Sequence, residues 1–114
     1  MSFNVYVTRQ IPEEGINLLR KFCQTVEVNP YDRPLTYDEL LRQVKGRNAI
    51  LTMLSDRIDE GVINEAKSIK VISNYAVGYE NIDIKTATAK GIIVTNTPGV
   101  LTDSTADMAW ALLF

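Results

Sequence analysis

The chain has 114 residues, enough for one domain with a core of its own and too few for two. Its 46% hydrophobic and 23% charged residues are ordinary for a globular protein, and a net charge of -2 with no basic stripe argues against a nucleic-acid partner. The complete absence of histidine excludes a Ser-His-Asp or Cys-His nucleophile and, with Cys23 the lone cysteine, argues against a zinc site.

The N-terminus carries no basic segment followed by an apolar one, so no signal peptide is expected. A single cysteine fits a reducing, cytoplasmic setting. Beside Phe22 in a helical stretch, Cys23 reads as a small buried hydrophobe rather than a nucleophile. Phe3 to Thr8, β-branched and aromatic, predicts a first strand. Pro12 opens a helix whose apolar stripe is Ile16, Leu18, Leu19 and Phe22, with Glu13 and Glu14 near its positive end. Thr25 to Val28 alternates as a short strand, and Asn29 to Pro34 is a turn-rich loop. Thr36 and Glu39 have the spacing of a capping box, opening a helix with Leu40, Leu41 and Val44 on its apolar face.

Asn48 to Leu54 is the continuous apolar run of a buried parallel strand. A short helix over Asp59 to Ala66, a strand over Ile69 to Ser73 and a helix over Asp83 to Lys90 follow, the last closed by Gly91. Ile92 to Thr95 is a fifth strand, Thr97-Pro98-Gly99 a turn, and Thr102 to Phe114 helical, with Ser104 and Asp107 in capping-box spacing. Five alternations of strand and helix predict an α/β, flavodoxin-like, three-layer domain on a five-stranded parallel sheet of order 2-1-3-4-5. The longest apolar run, Met108 to Phe114, is too short to span a membrane.

Ligands of an open parallel sheet bind beyond the carboxyl ends of its strands. The segments at those ends are Thr8 to Ile11, Leu54 to Arg57, Asn74 to Asn81 and Asn96 to Leu101. In the third, Asn74-Tyr75-Ala76-Val77-Gly78-Tyr79-Glu80-Asn81-Ile82-Asp83, Gly78 permits a sharp turn and close approach of a ligand to its amide. Successive amides in such a turn can form an anion nest, although from the local sequence alone a plain strand-to-helix turn former is the favoured reading of Gly78. In the fourth, hydroxyls crowd the start of the last helix, whose N-terminus attracts anions, although locally a plain N-cap is the favoured reading of Thr102 or Ser104. No GxGxxG and no Walker loop is present, so no dinucleotide cradle is encoded. The first and third strands end in Thr8-Arg9 and Leu54-Ser55, not the aspartates of a phospho-acceptor domain.

Asn74 to Asp83, followed by Lys90-Gly91-Ile92-Ile93-Val94-Thr95-Asn96-Thr97-Pro98-Gly99, resembles the N-terminal domain of the D-isomer-specific 2-hydroxyacid dehydrogenases. The opening Val7-Thr8-Arg9-Gln10-Ile11-Pro12 and the run Val100 to Asp107 resemble the glyoxylate/hydroxypyruvate reductase branch in particular. The resemblance implies reduction of a small 2-oxo acid to a D-2-hydroxy acid by NADH or NADPH, in a cleft between this substrate-binding domain and a Rossmann domain. It implies that the amides of Val77 and Gly78 hold the substrate carboxylate, that Val77 lies against the nicotinamide, that Leu54 lines the substrate pocket and that Thr105 reaches toward the cofactor. Residues 1–101 would be the substrate domain and 102–114 the start of the helix crossing to the cofactor domain. The family's Arg, Glu and His catalytic residues and its glycine-rich fingerprint are expected beyond Phe114, leaving the chain inactive alone. Trp110, Leu112, Leu113 and Phe114 would form a sticky surface, which predicts self-association, with a homodimer the expected state. A stand-alone ligand-binding or dimerisation module is the alternative reading, and the coding sequence after Phe114 separates the two.

Overall fold

The computed structural model describes residues 3–75 and 78–96. The expectations for Val77, the turn at Thr97 to Gly99, the final helix, its Thr105 and the domain boundary lie outside the described residues. The elements follow in the order β1 (Asn4–Val7), α1 (Glu13–Phe22), β2 (Thr25–Val28), α2 (Tyr37–Gln43), β3 (Ala49–Met53), α3 (Glu60–Glu65), β4 (Val71–Tyr75), α4 (Ile84–Ala89) and β5 (Ile93–Asn96). All neighbouring strands are parallel and the sheet order is β2-β1-β3-β4-β5, as the alternating pattern predicts.

Alternation within the strands divides the core. Val5, Val7, Ala49, Leu51 and Val71 pack with Ile16, Leu19 and Cys23 of the α1 side. Tyr6, Ile50 and Ile72 face the opposite layer, where Leu40, Val44, Val62, Ile63 and Ala87 of α2 to α4 meet them. Burial raises the Cys23 thiol above its ordinary pKa, as befits a packing residue. The α1 stripe differs from the expectation at its end: Phe22 is 48% exposed, while Cys23 is buried. Cys23 stands seven residues, nearly two full turns, beyond Ile16 and so shares its face, whereas Phe22 is rotated about 100° away.

The helix ends follow local chemistry. Thr36 and Glu39 form the capping box, and Glu39 also takes Arg33 in an ion pair of 2.8 Å. The Arg33 guanidinium and the Thr36 amide together hold the Glu39 carboxyl down at about 2. This native pKa lies below the ordinary 4.5, so the contribution of Glu39 is complete above 4.5 and is lost as pH falls toward about 2. Glu39→Gln is therefore expected to flatten the acid limb of a stability-against-pH curve in that window, measured by urea unfolding. At the end of α4, Gly91 has φ 74°, the left-handed C′ position. Gly91→Ala is expected to cost about 1 kcal/mol, read as a lower thermal midpoint, because an added Cβ is strained there whatever the space around it.

At the amino end of the sheet Arg47 is almost fully buried and ties the layers. Its guanidinium reaches Asn4 Oδ1 and Glu27 Oε1 at 2.9 Å each and stacks 4.8 Å from the centre of the Tyr6 ring. That pole is closed by structure; the carboxyl pole is organised differently.

Candidate functional site

The carboxyl ends of the strands carry a buried polar row. Thr52 of β3 is paired in register with Asn74 of β4, and Asn74 with Asn96 of β5. Thr8, Thr52 and Asn74 are fully buried. Asn74 and Tyr75 therefore belong to β4, two residues beyond the strand end expected at Ser73. The polar character of Asn74 disguised it as loop; the ladder and the Thr52 hydroxyl satisfy it inside the sheet.

Two loops close over this row. The segment after β3 and the segment after β4 are zipped by main-chain bonds, with the Ile58 amide donating to the Asn81 carbonyl and the Asp83 amide to the Ile58 carbonyl, both at 2.8 Å. Side chains add a second layer of ties. Asn74 Nδ2 donates to the Gly78 carbonyl and to Asn81 Oδ1, each at 2.9 Å. Asn81 Nδ2 donates to the Met53 carbonyl at 3.0 Å and the Asp56 carbonyl at 2.9 Å. At the last residue of β5, the Tyr79 hydroxyl donates to Asn96 Oδ1 at 2.7 Å.

Asp56 is the charged residue of this network, and sequence reading did not single it out. It is 2% exposed. One carboxylate oxygen accepts from the Thr8 hydroxyl and from the Met53 amide. The other, Oδ1, is buried without a partner among the described residues. Burial pushes its pKa up from the ordinary carboxylate value; the Thr8 hydroxyl, the Met53 amide and the charge of Arg9 pull against that. The sequence signal was there, a carboxylate shortly after a parallel strand, but its partner Thr8 is 48 residues away.

Leu54 stands at the carboxyl end of β3 with 55% of its surface exposed, a large apolar side chain at the cleft pole. Gly78 is half-buried, and the left-handed glycines among the described residues are Gly46 and Gly91. A Cβ built on Gly78 would meet only the Glu80 carboxylate, at 3.8 Å. Among the described residues no other atom crowds that position. A depression of about 340 Å³ lies between the two loops, lined by Leu54 to Asp59 and Glu80 to Asp83. Among its described lining, four carboxylates face the single cation Arg57, which makes it a poor seat for an organic anion.

The described residues do not fit a dinucleotide. The loop from β1 to α1 contains no glycine, so the glycine-rich turn that brings a pyrophosphate against the chain is missing there. Among the described residues no group of acidic or cysteine side chains is placed to hold a metal ion, and no helix is long and apolar enough to cross a membrane.

Residues 5–111 match the family model of the D-isomer specific 2-hydroxyacid dehydrogenase, catalytic domain. The chain belongs to this family. Within the D-2-hydroxyacid dehydrogenases it is 51% identical over 109 residues to a glyoxylate reductase of Thermococcus kodakarensis, covering 96% of this chain and 32% of that protein. It is 50% identical over 113 residues to a glyoxylate reductase of Pyrococcus furiosus, covering 99% of this chain and 33% of the relative. The chain thus spans about a third of the length of the curated relatives it matches. Among solved structures, the TT0316 protein of Thermus thermophilus superposes with a TM-score of 0.77 at 41% identity, over 97% of this chain and 35% of that one. A D-isomer specific 2-hydroxyacid dehydrogenase from Polaromonas superposes with a TM-score of 0.82 at 28% identity, over 90% of this chain and 32% of that one. The flavodoxin-like fold and the family expected from the motifs are thereby borne out.

Proposed function

We propose that these residues are the substrate side of a 2-oxo acid reductase of the glyoxylate or hydroxypyruvate type. The observation that carries the reading is about 50% identity to proteins named glyoxylate reductase, sustained over nearly the whole chain. In this reading Val77 and Gly78 offer main-chain amides to the substrate carboxylate. Among the described residues the Glu80 carboxylate alone comes near a Cβ built on Gly78, at 3.8 Å, which supports it, since a carboxylate must come within about 3 Å of an amide nitrogen to accept its hydrogen. Leu54 supplies an apolar wall at the same pole, while the acidic depression next to it turns anions away from the wrong seat.

The nicotinamide cofactor, NADH or NADPH, supplies hydride to the carbonyl carbon when bound. It belongs to a Rossmann domain elsewhere in the polypeptide, with Val77 and Thr105 approaching it from this side and residues 102–114 leading toward it. The carbonyl oxygen takes a proton from an acid that this chain, having no histidine, does not provide in the family's usual form. What these residues do is bind and orient the small organic acid and exclude water from one wall of the cleft. A cytoplasmic homodimer completes the reading. The complete polypeptide, given glyoxylate or hydroxypyruvate, is expected to oxidise NADH or NADPH, followed by the loss of nicotinamide absorbance. No oxidation with either acid and either cofactor overturns the proposal. The 114 residues by themselves are expected to show no turnover.

A further inference from the structure

We infer that Asn74 and Asn81 are positioning residues for the carboxylate-binding turn, an inference that rests on the functional reading above. The two loops do not need these side chains to close, because main-chain bonds from Ile58 to Asn81 and from Asp83 to Ile58 already zip them. What the asparagines add is different. The Asn74 amide, itself anchored by the Thr52 hydroxyl at 2.9 Å, grips the Gly78 carbonyl at 2.9 Å. Fixing that carbonyl holds the Gly78–Tyr79 peptide plane in place and so narrows the directions open to the amide of Gly78, the residue type with the most backbone freedom. The Asn81 amide holds the carbonyls of Met53 and Asp56, the two ends of the turn that contains Leu54. Asn74 Nδ2 joins the two asparagines at 2.9 Å. One side-chain brace therefore registers the amide of Gly78 against the apolar wall at Leu54.

The brace acts on the carboxylate and not on the carbonyl chemistry, which makes it separable from mere folding. The test uses the complete enzyme with two substrates, glyoxylate and its neutral amide, which offers the same aldehyde without a carboxylate. Asn81→Ala is expected to lower kcat/KM for glyoxylate roughly tenfold or more through KM, because small misplacement of a binding group is costly. Its KM for the nicotinamide cofactor is expected to stay near the unsubstituted value, and its kcat/KM for the neutral amide, which loses only the placement of the Leu54 wall, to fall several-fold less than that for glyoxylate. Thr52→Val, which matches threonine in shape and removes only the anchor of Asn74, is expected to shift the same ratio in the same direction by roughly two- to fivefold. If Asn81→Ala does not fold, Thr52→Val decides alone. An equal fall for both substrates, or an unchanged ratio in the folded variants, overturns the inference. Failure of the unsubstituted enzyme to reduce glyoxylate is a different result, and overturns the functional reading together with it.

Discussion

Gly78→Ala in the complete enzyme is expected to lower kcat/KM for a 2-oxo acid by roughly tenfold to hundredfold while moving the thermal midpoint by no more than about 2 °C. The two halves of this result come from the same geometry. Among the described residues the added Cβ meets only the Glu80 carboxylate at 3.8 Å, an ordinary contact that the fold accommodates. Replacing glycine also narrows the unfolded ensemble, which opposes any small strain. The methyl group instead occupies the open side of the turn, where the substrate carboxylate would have to reach the amide. Steady-state kinetics beside a thermal melt separates the effects. A variant with unchanged kcat/KM would remove Gly78 from the carboxylate site, and one that fails to fold would make it a structural glycine.

Thr8→Val is expected to cost stability in a strongly pH-dependent way. The hydroxyl of Thr8 donates to the buried Asp56 carboxylate, whose remaining direct partner is the Met53 amide. Burial holds the native pKa of Asp56 above its unfolded value, so between the two the native state binds more protons. The stability associated with the neutral carboxyl is complete below the ordinary aspartate value and is lost as pH rises through the raised one. Valine removes a hydrogen bond that favours the charged form, pushing the native pKa higher still. The cost is therefore expected to be about 2 kcal/mol at neutral pH, where a buried charge loses a partner, and markedly smaller in mild acid. Urea unfolding at both pH values measures it. In an Asp56→Asn background the difference between the two pH values should vanish; its persistence would show that Asp56 is not the titrating group.

The fold was legible because its signals are local. Continuous apolar runs marked β3, the capping box at Thr36 and Glu39 marked α2, and Gly91 marked the end of α4. Residues whose environment is made by distant chain were not legible. Asn74 looked like loop because its hydrogen bonds come from Thr52 and Asn81, across a strand and a turn. Asp56 was passed over because Thr8, which buries with it, lies on another strand. Phe22 was counted into the core because hydrophobicity alone does not say which of two adjacent apolar residues, Phe22 or Cys23, faces the sheet. Of the candidate site, Leu54 and Gly78 were proposed through family motifs, whereas the hydrogen bonds around them required coordinates.

The parallel bridge between Ile58 and Ile82 has an evolutionary and practical consequence. It pins a residue of the first loop to a residue of the second, so the lengths of the two loops are coupled. An insertion in either one breaks the pairing unless the other adapts. Exchange of substrate preference between relatives should therefore be attempted by transplanting both loops as one cassette, with residues 53–59 moving together with 74–83.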